Sequence, residues 1–123
     1  MEYKNILKGK AGEKKAVKFV RKVLKYRILE KNYKTKLGEI DIIASNGDTI
    51  VFIEVKTRED KEFLATPSEA ITRSKIRNIN QVASIYLSRY QLRNVPCRFD
   101  VIEVFLSEDK IEHIENAFTS YLY

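Results

Sequence analysis

The sequence predicts an α/β fold in which helices flank a mixed β-sheet of about five strands, with the elements in the order α-β-β-β-α-β-β. Two observations lead to this expectation. Apolar residues recur every three or four positions in residues 5–25 and again in residues 66–90, which is the spacing of a helix with one buried face. Short stretches rich in apolar and β-branched residues lie between and after these segments, and Asn46-Gly47 separates two of them as a hairpin turn would.

The composition suits a single domain spanning residues 1–123. The chain has 123 residues, of which 44% are hydrophobic, and this is enough for one core. Cys97 is the only cysteine, so an internal disulfide framework is excluded and a reducing, cytoplasmic location is expected. No apolar run approaches the length of a membrane span and the N-terminus has no signal-peptide core, so no membrane association is expected.

The chain is basic, with a formal net charge of +6 and a pI of about 9.4. Such an excess attracts phosphate polymers through counterion release, which makes nucleic acid a candidate partner. The same charge can simply keep a protein in solution, so net charge alone leaves both interpretations open.

Residues 5–25 are predicted to form the first helix. Its apolar stripe is Gly9, Gly12, Glu13, Ala16, Val17, Val20, Val23 and Leu24, with lysines and Arg21 on the other faces. Two explanations assign Glu13 no function: acids are favourable near a helix N-terminus, or the stripe ends in solvent at this residue. The alternative is that Glu13 turns toward the other acids as a further metal ligand or a water-binding group. Gly9 and Gly12 would let a backbone or a phosphate come close.

Three strands are predicted next, at residues 26–33, 39–44 and 49–57, with a basic turn at residues 34–36 and a hairpin formed by the last two strands. With a two-residue turn at Asn46-Gly47, Ile43 would pair with Ile50, and paired side chains share a face of the sheet. One face would carry the core residues Ile40, Ile42, Ala44, Val51, Ile53 and Val55, and the other would carry Glu39, Asp41, Ile43, Phe52, Glu54 and Lys56. The pattern assigns no role to Glu39.

Asp41 and Glu54 are diagonal neighbours in this register, roughly 7–8 Å apart at the backbone, so their carboxylates can converge. Two like charges repel, and a divalent cation such as Mg²⁺ or Mn²⁺ removes the conflict because it prefers oxygen ligands. Lys56 could position a water molecule there or neutralise charge on a phosphate. The alternative is a solvated face with a Glu54–Lys56 ion pair, but the apolar Ile43 and Phe52 on the same face favour the metal site.

The second half of the chain is predicted to contain a loop, a helix and two strands. The loop is residues 58–65; Thr66 then fits an N-cap, Pro67 the first helical position and Glu69 a capping box. The helix would bury Ile71, Ile79, Val82, Ala83, Tyr86, Leu87 and Tyr90 and expose Arg73, Lys75, Arg77 and Arg89. Residues 98–105 and 110–114 are the fourth and fifth strands, and residues 116–123 form an aromatic tail without an assigned structure.

Two arginines beside the predicted strands, Arg58 and Arg98, are candidates for phosphate contacts. Cys97 is expected to pack as a small apolar residue. His113, the only histidine, falls on a short edge strand and is assigned no role.

Asp41 followed by Glu54-Val55-Lys56 resembles the PD-(D/E)xK signature of restriction-endonuclease-like nucleases, with Ile40 where that signature has its proline. Five blocks along the chain resemble the YraN-like family of small bacterial proteins: Gly12-Glu13, Gly38-Glu39-Ile40-Asp41-Ile42-Ile43-Ala44, Phe52-Ile53-Glu54-Val55-Lys56-Thr57-Arg58, Pro67-Ser68-Glu69-Ala70 with Lys75, and Arg98-Phe99-Asp100-Val101. The blocks cover nearly the whole chain. The family is in turn similar to archaeal Holliday-junction resolvases.

The resemblance implies a restriction-endonuclease-like core with an active site made of Glu13, Asp41, Glu54 and Lys56. Asp41 and Glu54 would bind the metal, Glu13 would assist as a further ligand, and Lys56 would position the attacking water. Asp100 belongs to the last block, and both a structural hydrogen bond and a catalytic role stay open for it. Resolvase-like nucleases often pair two sites, so a homodimer is a further expectation.

The residues and the resemblance together predict an endonuclease that depends on Mg²⁺ or Mn²⁺ and hydrolyses DNA phosphodiester bonds, with branched or damaged DNA as candidate substrates. The predicted nucleic-acid contacts are Arg58, Arg73, Lys75 and Arg77. Two alternatives are a non-catalytic nucleic-acid-binding module on the same scaffold and a subunit that is active only when a partner delivers DNA.

Overall fold

Five strands and two helices follow one another in the predicted order in the computed structural model, which describes residues 2–59 and 72–118, with side chains described from residue 6 onward. The helices are α1 (Glu2–Phe19), which continues as a π-helical turn (Val20–Leu24), and α2 (Arg73–Arg89). The strands are β1 (Arg27–Thr35), β2 (Gly38–Asn46), β3 (Thr49–Arg58), β4 (Cys97–Phe105) and β5 (Lys110–Ile114). The predicted α/β class and the order of the elements are confirmed.

The five described strands lie side by side in chain order and form a mixed sheet. Strands β3 and β4 are parallel, because the chain between them crosses over through α2, and the other described pairs are antiparallel. The central position belongs to β3. The hairpin that carries the candidate acids therefore lies inside the sheet and not at its edge.

A hydrophobic core fills each side of the sheet. The α1-side core consists of Ala16, Val20, Tyr26, Ile42, Ala44, Val51, Ile53, Ile102 and Val104. The α2-side core consists of Tyr33, Ile40, Ile43, Ile50, Phe52, Ile79, Val82, Ala83, Tyr86, Leu87 and Phe99. Each fully buried large aliphatic or aromatic side chain contributes about 1.5–3 kcal/mol. Both faces of the central strands are thus occupied by packing, and acids on these strands have apolar neighbours.

The turn between β2 and β3 differs from the prediction. The observed partners are Ile42–Ile53, Ile43–Phe52, Ala44–Val51, Ser45–Ile50 and Asn46–Thr49. The turn is therefore Gly47-Asp48, and the prediction of a turn at Asn46-Gly47 with Ile43 opposite Ile50 is wrong. Gly47 has φ = 61°, the left-handed conformation that a type II′ turn requires at its first central position. The glycine takes that position instead of the asparagine, which shifts the register by two residues.

Ile40 is the exception to the predicted alternation along β2. It was expected beside Ile42 but lies in the α2-side core with Ile43. The backbone is irregular at this point, because Asn32 of β1 has φ = 53° and the β1–β2 partners skip Asn32 and Asp41. Alternation holds only along regular strand backbone, so it fails here.

The π-helical turn at the end of α1 changes which side chains are buried. Val20 is fully buried, whereas Val23, which was predicted on the apolar stripe, is 63% exposed. A π-helical turn contains more residues than an α-helical turn, so a spacing of three or four no longer returns to the same face. The turn ends at Lys25, whose φ is 60° and whose N–H donates to the Val20 carbonyl.

Helix α2 starts later than predicted. Thr72 is extended, with φ = −79° and ψ = 160°, and its Oγ1 accepts a hydrogen bond of 3.1 Å from the Lys75 N–H. An unbroken helix from Thr66 is therefore wrong, because Thr72 caps the helix that is described. The predicted capping residues and most of the predicted loop, together with Ile71, fall within residues 60–71, which lie outside the described residues.

The end of α2 also corrects one buried position. Tyr90, predicted on the buried stripe, is 47% exposed, because it follows the last helical residue and the stripe ends at Leu87. Further along the chain, the Phe118 ring stacks on the Phe99 ring with their centroids 5.1 Å apart, and residues 119–123 lie outside the described residues. Neither helix in the described part of the chain is both long and apolar enough to cross a bilayer.

Asp100 is 0% exposed and lies at the centre of a hydrogen-bond network between β4 and β5. Arg98 donates to its two oxygens at 2.8 and 2.9 Å and to the Tyr26 hydroxyl at 3.0 Å. His113 Nε2 lies 2.7 Å from one oxygen, and the Asn116 N–H donates to the other at 3.0 Å. Burial alone would raise the pKa of Asp100, but these hydrogen bonds outweigh it and lower the pKa. Asp100 thus has the structural role, and Arg98 holds it instead of standing free for a phosphate.

Asp100→Asn should lower the free energy of unfolding by about 3–5 kcal/mol at neutral pH, because it leaves Arg98 without its charge partner. Since the folded-state pKa of Asp100 is lowered, its stabilisation is present above the unfolded-state pKa, near pH 4, and is lost as pH falls through the folded-state pKa. Urea unfolding between pH 7 and about pH 2.5 should show a steeper acid loss in the wild type than in the variant. The exposed Asp48→Asn serves as the control, and equal stability of Asp100→Asn and wild type at pH 7 contradicts the role.

Candidate active site

The sheet opens between β2 and β3 at Asp41. Pairing of the two strands runs from the turn to Ile42–Ile53 and stops there. Beyond this point the Val55 N–H donates to Asp41 Oδ2 at 2.8 Å. The Asp41 side chain thus takes the place of a backbone acceptor, and the two strands separate without leaving this donor unpaired.

Asp41 and Glu54 come together in this opening. Glu54 is only 8% exposed and lies on the side of the sheet that α2 covers. Burial raises the pKa of Asp41 to about 7; the charge of Glu54 and a hydrogen bond with it add to the rise, while the Val55 N–H and the Lys75 charge oppose it. The two carboxylates are therefore unfavourable neighbours as two bare negative charges.

Two lysines surround the carboxylate pair. Lys75 of α2 has its Nζ 3.4 Å from Glu54 Oε1, and it also forms a hydrogen bond with Lys56 of β3. Burial and the neighbouring Lys75 lower the pKa of Lys56. Burial would lower the pKa of Lys75 as well, but the bond to Lys56 and the negative charges of Glu54 and Asp41 raise it. Two ammonium groups cannot hydrogen-bond to each other, so these opposite shifts are consistent with Lys75 as the charged donor.

Glu13 reaches the same opening from the other side of the sheet. It is half-buried in the middle of α1, which starts at Glu2, so placement at a helix N-terminus does not explain it. Burial and the charges of Asp41 and Glu39 raise its pKa, while a hydrogen bond from Asn32 and the Lys34 charge oppose the rise. Of the orientations considered for Glu13, the structure shows the one that faces the acids.

Gly12 allows α1 to lie directly on β3. A Cβ atom at Gly12 would come within 1.9 Å of Thr57 Oγ1, well inside the contact distance of two atoms. Gly9, in contrast, has open space around it, so the expectation of close approach holds for Gly12 and not for Gly9. The close contact at Gly12 brings the next residue, Glu13, to the sheet.

A basic groove with a volume of about 920 Å³ leads to these acids along α1. Its cationic lining is Lys10, Lys14, Lys15, Lys18, Arg21, Lys22 and Lys31, and its acidic lining is Glu13 and Asp41. We call it the α1 groove. Lys15 pairs with Asp109 at 2.8 Å, whereas no ion pair joins the other six cations to an acid in residues 6–59 and 72–118. Among the side chains that the structure describes, these six charges thus have no acidic partner.

The other predicted nucleic-acid contacts have different environments. Arg58 donates to Glu103 Oε1 at 3.1 Å, and Glu103 is 1% exposed, so Arg58 is committed at least in part to balancing a buried acid. Arg73 and Arg77 are exposed on α2, while Lys75 between them contacts Glu54. The predicted basic surface of α2 therefore does not act as one unit: Arg73 and Arg77 face solvent, whereas Lys75 is directed into the candidate site.

The donor set in the opening is that of a hard divalent cation. Asp41 and Glu54 offer carboxylate oxygens, and Mg²⁺ is commonly bound through one or two protein carboxylates while it keeps several waters. Within the described ranges, no group of three or more Asp, Glu, His or Cys side chains is arranged as a complete metal site. The residues present therefore fit a water-rich Mg²⁺ or Mn²⁺ site and do not fit a closed structural site.

Two residues have places in the candidate site that the sequence did not predict. Asn32 lines the α1 groove and contacts Glu13, and Lys75, which was predicted as a nucleic-acid contact on the basic surface of the second helix, contacts Glu54. The one sequence signal for Asn32 was an asparagine inside a strand, a residue that strands disfavour and that tolerates the left-handed conformation. The contact of Lys75 joins two elements distant in sequence, and nothing in helix periodicity marks it.

A family model described as uncharacterised protein family UPF0102 matches residues 12–104. The chain belongs to UPF0102. This confirms the resemblance to the YraN-like family, and the matched range contains Glu13, Asp41, Glu54, Lys56 and Lys75.

Curated UPF0102 proteins resemble the chain over most of its length. The relative from Caldicellulosiruptor saccharolyticus is 47% identical over 114 residues, which cover 89% of this chain and 95% of the relative. The relative from Clostridioides difficile is 50% identical over 111 residues, which cover 90% of this chain and 96% of the relative. The relative from Alkaliphilus oremlandii is 52% identical over 114 residues, covering 89% and 96%.

Gly12→Ala should destabilise the protein by about 1–3 kcal/mol, because the added methyl group overlaps Thr57 and must push α1 away from β3. Gly9→Ala is the matched control in the same helix. It adds the same methyl group in open space and should stabilise the protein by roughly 0.5–1 kcal/mol. Chemical denaturation of both variants measures the contrast, and a stabilising Gly12→Ala would refute the close contact.

Proposed function

We propose that the chain is a metal-dependent nuclease that hydrolyses DNA phosphodiester bonds. The observation that supports this most directly is the carboxylate pair Asp41 and Glu54 in the opening of the sheet, with Lys56 and Lys75 beside it. Two acids and a lysine at one point, next to a groove lined with unpaired cations, combine the parts that hydrolysis of a polyanion requires.

Asp41 and Glu54 would hold Mg²⁺ or Mn²⁺. A bound divalent cation would polarise the scissile phosphate and lower the pKa of a water molecule beside it. The high pKa of Asp41 indicates that the pair is unfavourable as two bare anions, and a cation relieves that repulsion. Glu13 faces Asp41 across the opening and can accept a hydrogen bond from a water molecule or add a third carboxylate.

The two lysines have different parts in the proposed reaction, and Lys75 supplies the positive charge that the reacting phosphate needs. Lys56 is half-buried beside the carboxylates, and we assign it to positioning the attacking water. Lys75, held against Glu54 at 3.4 Å, would offset charge that develops on the phosphate oxygens. A fixed cation in a partly buried site acts more strongly than one in water.

The α1 groove is the proposed path of the DNA backbone. Five of its cations without an acid partner among the described side chains lie along α1 and the π-helical turn that continues it: Lys10, Lys14, Lys18, Arg21 and Lys22. Glu13 lies on the same helix, so a strand held by its phosphates would pass beside the acids. None of the described residues that line the groove is aromatic, which favours contacts to phosphates over stacking on bases. Binding in the groove should therefore depend little on base sequence.

The resemblance to PD-(D/E)xK nucleases and to archaeal resolvases gives further support. Glu13, Asp41, Glu54 and Lys56, the four positions that the resemblance implies, meet around one opening although they belong to three elements. From this resemblance we propose branched DNA as the first substrate to test and a homodimer as the active form.

A non-catalytic DNA-binding module is the second candidate. The specific observation in its favour is that the α1 groove is extensive while the described residues contain no complete three-ligand metal site. A subunit that cleaves only when a partner delivers the DNA is a variant of the first proposal. Calorimetric titration with Mg²⁺ and Mn²⁺ separates the nuclease from the module, because only the nuclease requires the ion.

Asp41→Asn should reduce cleavage by more than about 100-fold, because it removes a metal ligand, and loss of even a supporting partner costs 10–100-fold. The assay uses single-stranded, duplex, flapped and four-way DNA with Mg²⁺ or Mn²⁺, and circular dichroism checks that the variant is folded. The exposed Asp48→Asn is the control and should cleave as the wild type does. Cleavage by Asp41→Asn at the wild-type rate contradicts the assignment.

The double variant Lys14→Gln/Lys18→Gln should bind DNA less tightly than the wild type, and its affinity should depend less on salt concentration. Each lost phosphate contact lowers the slope of log K against log salt concentration by about 0.9 for duplex DNA. Fluorescence anisotropy measures this in an Asp41→Asn background without divalent ions. The charge-matched control is Arg93→Gln/Lys110→Gln, outside the groove; an equal loss of affinity in both pairs would show that the groove is not the binding surface.

A further inference from the structure

Asn32 has an unusual backbone for a strand residue. It lies within β1 and has φ = 53°, in the left-handed region of backbone conformations that residues other than Gly, Asn and Asp seldom adopt. The β1–β2 partners Lys31–Ile42 and Tyr33–Ile40 flank it, and Asn32 forms no strand pair with Asp41, the residue opposite. The irregularity therefore lies beside the metal-binding aspartate that we propose.

The irregularity rotates both strands at the same point. In β1, the consecutive residues Lys31 and Asn32 both line the α1 groove, and Tyr33 then enters the α2-side core. In β2, Asp41 lines the groove and the next residue, Ile42, lies in the α1-side core. Consecutive residues of a regular strand point to opposite faces. The left-handed conformation of Asn32 thus accompanies the turn of Asp41 toward the groove.

The Asn32 side chain makes the second connection. It forms a hydrogen bond with the Glu13 carboxylate, and since a carboxylate accepts, the Asn32 amide group donates. This bond joins α1 to β1 at the residue opposite Asp41. One residue is thus linked to both acids on the groove side, to Asp41 through the strand geometry and to Glu13 through its amide.

We propose that Asn32 is a positioning residue of the active site, which directs Asp41 into the opening through its left-handed backbone and orients Glu13 through its amide. This inference rests on the proposed nuclease function. The positioning role explains why residue 32 is an asparagine. Glycine would adopt the left-handed backbone conformation but lacks the side-chain amide. Aspartate would adopt the backbone but place a further negative charge beside Glu13. Of the residues that readily accept this conformation, asparagine meets both requirements.

The test compares Asn32→Gly and Asn32→Asp with a matched control. Asn32→Gly keeps the conformation and removes the amide, so kcat should fall by about 10–100-fold, the usual effect of losing a hydrogen-bond partner of a metal-site residue, while KM for DNA changes little. Asn32→Asp should lower kcat further, because it places a negative charge beside Glu13. The control Asn94→Gly makes the same change at an exposed asparagine with φ = 57° and should keep wild-type kcat. Wild-type kcat in Asn32→Gly overturns the proposal.

A second measurement separates this inference from the nuclease proposal. Carbon-13 carboxyl spectra report on Glu13 and Asp41 without substrate or metal. Asn32→Gly should shift the Glu13 resonance and Asn94→Gly should leave it in place. A wild-type protein that cleaves no DNA on its own would refute a self-sufficient nuclease, yet the spectra still decide the positioning role. A Glu13 resonance identical in Asn32→Gly and wild type overturns that role.

Discussion

The hydrogen bond from the Val55 N–H to Asp41 Oδ2, at 2.8 Å, is the interaction on which the rest of the candidate site depends. A buried N–H without a partner costs about 1–3 kcal/mol, so two strands at the centre of a sheet ordinarily stay paired to their ends. Asp41 supplies the missing acceptor, and β2 and β3 can part beyond Ile42–Ile53. The parting gives the Glu54 carboxylate room beside Asp41 and lets Glu13 face the pair from α1.

The acids in this opening require nearby cations. The sequence places cations in the first turn of α2, where a helix prefers acids. The first turn of α2 contains no acid, although acids stabilise a helix N-terminus and cations there cost about 0.3–1 kcal/mol each. Arg73 and Lys75 occupy that turn instead. For Lys75 the contact with Glu54 explains the exception, because the charge that disfavours the helix balances the carboxylate pair. Such conflicts between local and tertiary preference are expected at functional sites.

Sequence periodicity predicted the parts of the fold that rest on regular backbone. The faces of Ile42 and Phe52 were predicted correctly although the hairpin register was wrong, because a shift of two residues preserves alternation. Ile40 was assigned to the wrong face because the left-handed Asn32 interrupts alternation, and an asparagine inside a strand is too common a signal to predict that conformation. The site acids could be predicted as a group, but the contact of Lys75 with them depends on how α2 packs on the sheet.

The basic charge is unevenly distributed along the chain. Residues 3–27 contain ten Lys and Arg residues against one acid, and the rest of the chain contains 13 against 16. The net charge of +6 is thus smaller than the excess carried by this segment alone, and the remainder is slightly acidic. This charge is concentrated along the helix that borders the candidate site, a distribution that favours the proposed anionic partner over a general role in solubility. The single acid of that segment, Glu13, is the residue that faces Asp41, so the segment combines the surface proposed for the DNA backbone with a group directed at the carboxylate pair.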